Sequence, residues 1–566
     1  MIRTFETHKI RKMKELSSCL WDFETLSGEG DCRQQVYVPS CWENYPGTAA
    51  YTGKARYCRT FEAEGNVRLE FKGVSHTACV YVDGEKVASH YNAYTIFEAI
   101  VPNLRPGKHT LEIIADNSFG PESALHVPND YQSYGGISRA VIMEEIEDVY
   151  IKWIHFTPLL KRNENAEGKA WFGKVEINLC NVSDLDFTGT IVVNFAGHRL
   201  VSLPVTLKGK ETKIITTEEL LCREAEEWSP ESPRLYSIEA ILEDKDSISV
   251  DDLIERVGFR TIEVSGKDIL LNGKKLLIKG LCRHEDHPQF GCALPLEAMQ
   301  YDLMIAKDLG ANSIRTTHYP NDELFLDLCD EQGILVWEEN HARGLSEELM
   351  RNPYFDKQCE DCIYEMITVH YNHPSIYIWG ILNECASHTE YGKACYEAQY
   401  EWIRKLDASR PRSSASCQFK TDICFGYPEI VSYNIYPKWY HDTPVKEYLK
   451  DLYEWVQDNT EGKEKPFLIT EIGAGALYGY RHPSHVKWTE EYQAETLKEQ
   501  ITAVFEQDGC SGIYIWQFCD TRVSSSWFGT RPRTMNNKGI VDEYRRAKLS
   551  YEIVKGMYKA KGNYKV

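Results

Sequence analysis

No stretch of this 566-residue chain approaches the roughly 18 consecutive apolar residues that crossing a bilayer requires. Its opening, MIRTFETHKIRKMKEL, holds no apolar core of a secretion signal. Cations are in deficit: 64 Lys and Arg against 85 Asp and Glu leave a formal charge of −21. That balance is the reverse of the basic face a nucleic acid selects, and any anionic small molecule must meet a locally cationic pocket. The 18 cysteines follow no disulfide spacing, so they read as free thiols and the expected location is a reducing cytoplasm. The one C-x-x-C pair, Cys359 and Cys362, lacks the second pair of a structural zinc site and reads as two thiols on a helix. No phosphate loop or dinucleotide fingerprint occurs, so neither cofactor nor metal is expected.

What is present is length, alternation and aromatic residues. A chain of 65.2 kDa exceeds one hydrophobic core and calls for about three domains. Its 13 Trp and 34 Tyr suit β-rich cores and sugar-facing surfaces equally well. Residues 1–145 alternate apolar and polar in short runs such as VRLEFKGV and TACVYVDGEKVAS, punctuated by turn residues, which predicts a β-sandwich. Residues 146–262 repeat the pattern in VYIKWIHFTP, KVEINLCNV and GTIVVNFAG and predict a second, smaller one. No long linker separates the two, so they are expected to pack together.

From 263 to 566 strand-like runs alternate with helical segments, beginning LLIKGL, PLEAMQYDLMIAKDLG, NSIRTTH. With the weak strand SSAS at 413–416 the count reaches eight βα steps, the length and rhythm of a TIM barrel. Chemistry on that scaffold collects at the C-terminal strand ends. There the sequence places Arg283, His284, Glu285 and Asp286 after strand 1, Arg315 and His318 after strand 2, and EENHARG after strand 3. Asn383 and Glu384 follow strand 4, Asn434 and Tyr436 strand 6, Glu471 strand 7, and Trp516 lies on strand 8. Glutamates on strands 4 and 7 can converge across the mouth, which is the arrangement glycoside hydrolysis needs. Enolases and phosphatases also carry barrel carboxylates, but in metal-binding Asp-rich sets that are not found here.

The chain resembles glycoside hydrolase family 2, and within it the β-glucuronidases. CLWDF, VPSCWENYP and ARYCRTFE resemble the family's N-terminal sugar-binding sandwich, jelly-roll-like in form. NDYQSYGGISRAV, VGFRTIEV, NGKKLLIKGLCRHEDHP, GANSIRTTHYP, NHPSIYIWGILNE and FLITEIG follow in family order. The resemblance implies a jelly-roll-like sandwich, an immunoglobulin-like sandwich and a catalytic TIM barrel. It also implies Glu384 as acid/base and Glu471 as nucleophile of a retaining mechanism. Retention calls for carboxyls about 5–5.5 Å apart, close enough for each to raise the other's pKa. Asn383 is then expected at the sugar 2-hydroxyl.

The sugar is read from RTMNNKGIVDEY, where Asn536 and Lys538 match the Asn-x-Lys with which β-glucuronidases hold the C6 carboxylate. An ammonium supplies charge and an amide a directed donor. By the same resemblance Asp130 enters the pocket from the N-terminal domain, and Tyr436 and Tyr440 flank nucleophile and ring. Trp516 is a sugar platform or a core residue, and His318 lines the mouth or pins a loop. Two positions depart from the family. Pro532 stands where an Arg is usual, flanked by Arg531 and Arg533, and Arg343 stands after strand 3 where a small apolar residue is usual. Arg343 is either a surface side chain or a second grip on a carboxylate, in a pose suited to the other C4 epimer.

The expected activity is therefore an exo-acting retaining β-glucuronidase, with β-galacturonidase or dual action as the alternative, then a β-galactosidase, and last a non-catalytic carbohydrate binder. The expected partner is a small or oligosaccharide β-uronide, with no nucleic acid or membrane, in a homo-oligomer. No segment that would lengthen an active-site lid is evident between HARGL and NPYFDKQCEDC, so an open mouth tolerating bulky or oligomeric aglycones is expected.

Overall fold

A computed structural model describes residues 2–26, 32–162 and 169–565. The first body is an eight-stranded antiparallel sheet. Its two long strands, Lys54–Phe71 and Phe97–Asp116, pair along their length through irregularities around Gly65. Such bulges bend and twist a sheet, and a single core of Trp21, Tyr57, Phe71, Val80 and Ile113 closes between its layers.

The second body packs two four-stranded antiparallel sheets. One is centred on Lys169–Asn181 and the other on Phe187–Phe195, with Trp171, Val175, Ile191 and Phe259 between them. Alternating side chains along each strand supply that core, as a sandwich with solvated outer faces requires.

The third body is a closed parallel barrel. Its strands are β1 (Ile278–Arg283), β2 (Ser313–Thr316), β3 (Leu335–Glu339), β4 (Ile376–Ile381), β5 (Arg412–Ser416), β6 (Val431–Asn434), β7 (Phe467–Ile472) and β8 (Cys510–Ile515). β8 closes on β1, with Gly512 opposite Ile278. The floor is packed by Tyr514, whose hydroxyl shares hydrogen bonds with Ser313 (2.6 Å) and Tyr377 (2.8 Å). Gly280 makes room for it, since a Cβ there would stand 2.2 Å from the Tyr514 ring.

The helices are α1 (Leu296–Leu309), α2 (Glu323–Gln332), α3 (Glu347–Met350), α4 (Phe355–His370), α5 (Glu390–Leu406), α6 (Val445–Asn459), α7 (Glu490–Glu506) and α8 (Ser550–Lys559). α2 shows the local logic: Asp322 accepts from Leu324 N at its start, and Gly333 in the left-handed region (φ 70°) ends it. The expectation of eight βα steps needs one correction: β5 and β6 are joined by a loop without a helix. Residues 417–430 carry no helical period, and Asp422 ties the loop down by accepting from Ser416 Oγ (2.6 Å) and Cys424 N (2.8 Å). Cys359 and Cys362 lie buried on α4 as free thiols.

The bodies are joined by buried ion pairs. Arg11 sits between Asp251 of the second sandwich, which it meets through Nε (2.9 Å) and Nη2 (2.7 Å), and Glu144 of the first (2.8 Å). Arg3 forks onto Asp327 of α2 (2.9 Å through both nitrogens). Arg139 reaches Glu285 (2.8 Å) and the Pro320 carbonyl (2.8 Å) at the barrel mouth. Removing one partner of such a pair strands the other in a dry interior. Arg11→Ala is therefore expected to cost about 3–5 kcal/mol, read as a lower and broader thermal transition; an unchanged transition would refute its role as the joint.

Candidate active site

A cavity of about 790 Å³ opens at the C-terminal ends of the barrel strands, with Glu384 and Glu471 in its wall. Glu471 is the better fixed of the two. Arg315 Nη1 donates to its Oε1 (3.0 Å) and the Tyr436 hydroxyl to its Oε2 (2.6 Å). The register of β6 and β7 shifts between Tyr433 and Asn434, which brings Asn434 beside Glu471. Arg315, fully buried, forks onto Glu339 (2.9 and 3.0 Å) and also donates to Asn383 Oδ1 (2.8 Å).

Asn434 Nδ2 donates to both Asn383 Oδ1 and Glu384 Oε1, at 3.0 Å each. Asn383 thus spends its carbonyl on neighbours, while its buried Nδ2 has no hydrogen-bond partner among the described residues. Glu384 itself has φ 55°, and its backbone N–H donates to Ala415 O (2.9 Å), which ties the end of β4 to β5. That left-handed turn is costly for a residue with a Cβ and is the kind of strain stored at working sites.

Burial, reinforced by the charge of Glu384, pushes Glu471 up to about 8, against the pull of Arg315 and the Tyr436 hydroxyl. Burial and Glu471 together push Tyr436 well above the ordinary phenol range, so it stays a donor. His318 stacks on Trp516 (5.2 Å, 16°), and its Nδ1 stands 2.7 Å from Glu339 Oε1. Burial and the neighbouring guanidinium of Arg315 hold it well below the usual histidine range, so the ring is neutral and Nδ1–H donates. His318 therefore braces Glu339 and Trp516, while Trp516 itself lines the cavity.

A second cluster adjoins the glutamates. Asp130 arrives on a loop of the first sandwich, pinned by Asn129 N donating to Ser524 Oγ (3.2 Å) and Ser524 Oγ donating to Tyr131 O (2.9 Å). Its carboxylate accepts from Asn536 Nδ2 (3.2 Å) and Arg531 Nη2 (3.3 Å), and Arg343 Nη2 stands 3.3 Å from its other oxygen. Burial alone would raise Asp130, but Arg343, Lys538 and Arg531 hold it well below the usual carboxylate range. Lys538 Nζ donates to Tyr440 (3.0 Å) and lies 5.7 Å from the Tyr436 and Trp439 ring centres.

Arg343 is no surface residue. The same Nη2 that faces Asp130 is 3.4 Å from Glu384 Oε2, so one guanidinium links the two clusters. Of the two arginines flanking Pro532, Arg531 enters the cavity, and Arg533 turns away to Glu543. Glu384, Glu471, Asp130, Arg343, Tyr436, Tyr440, Trp516 and Lys538 thus line the cavity, Asn383, His318 and Asn536 lie directly behind it, and Arg533 does not reach it. Arg315, Glu339 and Asn434 were placed at strand ends without a role, Arg531 was named only as a flank of Pro532, and Trp527 in the loop after β8 was not singled out at all. Their signal was position alone, because an inward-facing Arg reads like any other until its partners are known.

Known proteins place the chain. Residues 149–260 match the family model for glycosyl hydrolases family 2, and residues 262–561 match the TIM barrel domain of glycosyl hydrolases family 2. A putative β-glucuronidase of Formosa agariphila is 28% identical over 93% of this chain and 67% of its own length. A β-glucuronidase of Paenibacillus borealis is 26% identical over 86% of this chain and 84% of its own. Among solved structures, a family 2 β-galacturonidase of Eisenbergiella tayi bound to galacturonate is 68% identical, with a TM-score of 0.98 and full coverage of both chains.

Arg315 carries a prediction that needs no substrate. Arg315→Met leaves Glu339 and Glu471 buried without their cation, an expected loss of about 3–5 kcal/mol at pH 8. Both carboxyls have folded pKa values raised above the unfolded ones, so they are neutral in the fold at low pH and the penalty grows as pH rises. Thermal unfolding at pH 5 and pH 8 should show the larger deficit at pH 8; equal deficits would exclude this account.

Proposed function

We propose a function from one premise: the chain belongs to glycoside hydrolase family 2. On the domain division given above, it is a retaining, exo-acting β-hexuronidase that cleaves a terminal β-D-glucuronide or its C4 epimer. The observation that carries the reading is the cationic wall beside the two glutamates. Lys538, Arg531 and Arg343 converge with Asn536 on one cavity of a chain whose formal charge is −21. Three cations gathered at one place in an acidic protein suit a carboxylate and serve no purpose for a neutral sugar.

Glu471 attacks the anomeric carbon, and Glu384 protonates the leaving oxygen and later takes a proton from water. Glu471 accepts from two donors, one of them Arg315, which can only donate, and these contacts favour its anion against the burial that raises it. A retaining mechanism requires the single proton of the pair on Glu384. Arg343 opposes that while it faces Glu384, but a substrate carboxylate competes for the same guanidinium. Once Arg343 turns to the sugar, its cation no longer faces Glu384. Asn383 Nδ2 is the free donor for the 2-hydroxyl, an interaction that strengthens as the oxocarbenium ion develops. The loop carrying Asp130 supports exo action by walling the sugar pocket from the first sandwich.

The glucuronide reading rests on the Asn-x-Lys clamp and on relatives such as the P. borealis β-glucuronidase. A specific observation favours galacturonide: Arg343 reaches the acid and the pocket wall at once, and the E. tayi β-galacturonidase is 68% identical. The cysteines are all free, which supports a reducing cytoplasm, and a homo-oligomer completes the proposal. No helix of the described residues is long and apolar enough to cross a membrane.

The test is kcat/KM for aryl β-glucuronide, β-galacturonide and β-galactoside. The expected wild type favours a uronide, and Lys538→Ala lowers the uronide-to-galactoside ratio by about 100-fold, the usual cost of stripping a charge partner. A wild type that favours the galactoside, with that ratio unmoved by Lys538→Ala, would overturn the uronide reading. Arg343→Ala is expected to depress the galacturonide more than the glucuronide.

The pH profile gives a second test. The pair must keep one proton, so activity should fall on the basic side once that proton is lost. Glu384→Gln cannot lose that proton. On an activated aryl substrate the basic limb should vanish while the acidic limb, set by ionisation of Glu471, remains; persistence of both limbs would reverse the two assignments.

A further inference from the structure

The glycone end accounts for only part of the cavity. On the side formed by the loops after β5 and β6 and the start of α6, the wall includes Cys417, Phe419 and His441 from the loops and Glu447, Tyr448 and Asp451 from the helix. This wall adjoins the acid, because Glu384 N donates to Ala415 O two residues before Cys417. The loop after β5 is the one that lacks a helix, and it brings an aromatic side chain to the cavity in its place. The Phe419 ring, 38% exposed, lies 4.8 Å from that of Tyr448 at 37°, and His441 stacks on Tyr448 at 5.6 Å and 21°. Three adjoining rings beside a catalytic acid form a platform rather than a core, since solvent reaches them.

The charge of this wall is the opposite of that at the sugar end. Asp451 is neutralised by Lys420 (2.6 Å), whose ammonium also lies 5.4 Å from the Phe419 ring centre. Glu447 forms no salt bridge among the described residues and leaves the wall negative. A leaving group bonded to the oxygen that Glu384 protonates must extend over this wall.

We propose that Phe419, His441 and Tyr448 form a leaving-group subsite for a planar aromatic aglycone, and that Glu447 discriminates against an aglycone bearing its own carboxylate. The proposal rests on the hexuronide reading above. It makes the protein an enzyme for aryl hexuronides rather than for chains of linked uronates. Aromatic faces contribute through offset contact with the aglycone ring, and the acid acts by like-charge repulsion at the rim.

The experiment compares kcat/KM, which reports glycosylation, for an aryl hexuronide, the matching methyl hexuronide and a hexuronosyl-hexuronate disaccharide. Phe419→Ala and Tyr448→Ala are each expected to lower the aryl-to-methyl ratio by about 5- to 10-fold. Glu447→Gln is expected to raise the disaccharide-to-aryl ratio by about threefold. An aryl-to-methyl ratio within twofold of wild type in both ring variants overturns the aromatic subsite. A disaccharide-to-aryl ratio unmoved by Glu447→Gln, or a wild type that prefers the disaccharide, overturns the charge discrimination. If hexuronides are not cleaved at all but another glycone is, the hexuronide reading fails by itself, and the same aryl-to-methyl ratio measured on that glycone still decides the subsite.

Discussion

The guanidinium of Arg315 is the interaction on which the rest of the site depends. It lies fully buried at the end of β2 and donates to Glu339 on β3, Asn383 after β4 and Glu471 on β7. A planar fork with five donors can satisfy carboxylates on two sides at once, which an ammonium cannot do with the same geometry. Each neighbour is then fixed by what remains of its own hydrogen-bonding capacity. Glu339 turns its second interaction to His318, which stacks on Trp516. Asn383 uses its carbonyl and keeps its amide donor, and Glu471 is left with one further oxygen for Tyr436. Burying such charges is expensive unless every partner is present, so the cluster holds its shape because no member can leave without stranding another.

The cationic end of the cavity is built differently, from two bodies. The barrel alone supplies Lys538, Arg531 and Asn536, and those cations and amides face a carboxylate delivered by the first sandwich. Asp130 balances them and spaces them, so that the wall stays cationic without collapsing on itself. The Ser524 contacts with Asn129 and Tyr131 fix the angle of that delivery. The ion pairs of Arg3, Arg11 and Arg139 hold the sandwiches and barrel in place behind it. The cationic wall is thus coupled to domain packing, because the wall and the domain interface share one loop.

Much of this was legible in the residues. Alternating patterns marked the sandwiches, the βα rhythm marked the barrel, and strand ends marked Glu384, Glu471 and Asn434, since a barrel presents its C-terminal strand ends to one mouth. The loop after β5 was misread as a full step because counting strands does not count helices. Arg343 was divided between surface and site because a cation in a loop has no direction in a sequence. Arg531 and Arg533 were equivalent on either side of Pro532 until backbone geometry sent one to Asp130 and the other to Glu543.

The sequence by itself determined the family, the barrel and the position of two glutamates at its mouth, because these follow from periodicity and from long motifs in fixed order. Only the tertiary structure decided that Arg343 joins acid to pocket wall, that Arg315 anchors the cluster, and that three rings adjoin Glu384 on its open side. Those facts depend on contacts between residues up to several hundred positions apart. Such contacts leave no local period, and a charge reveals its purpose only through the partner that the fold sets against it.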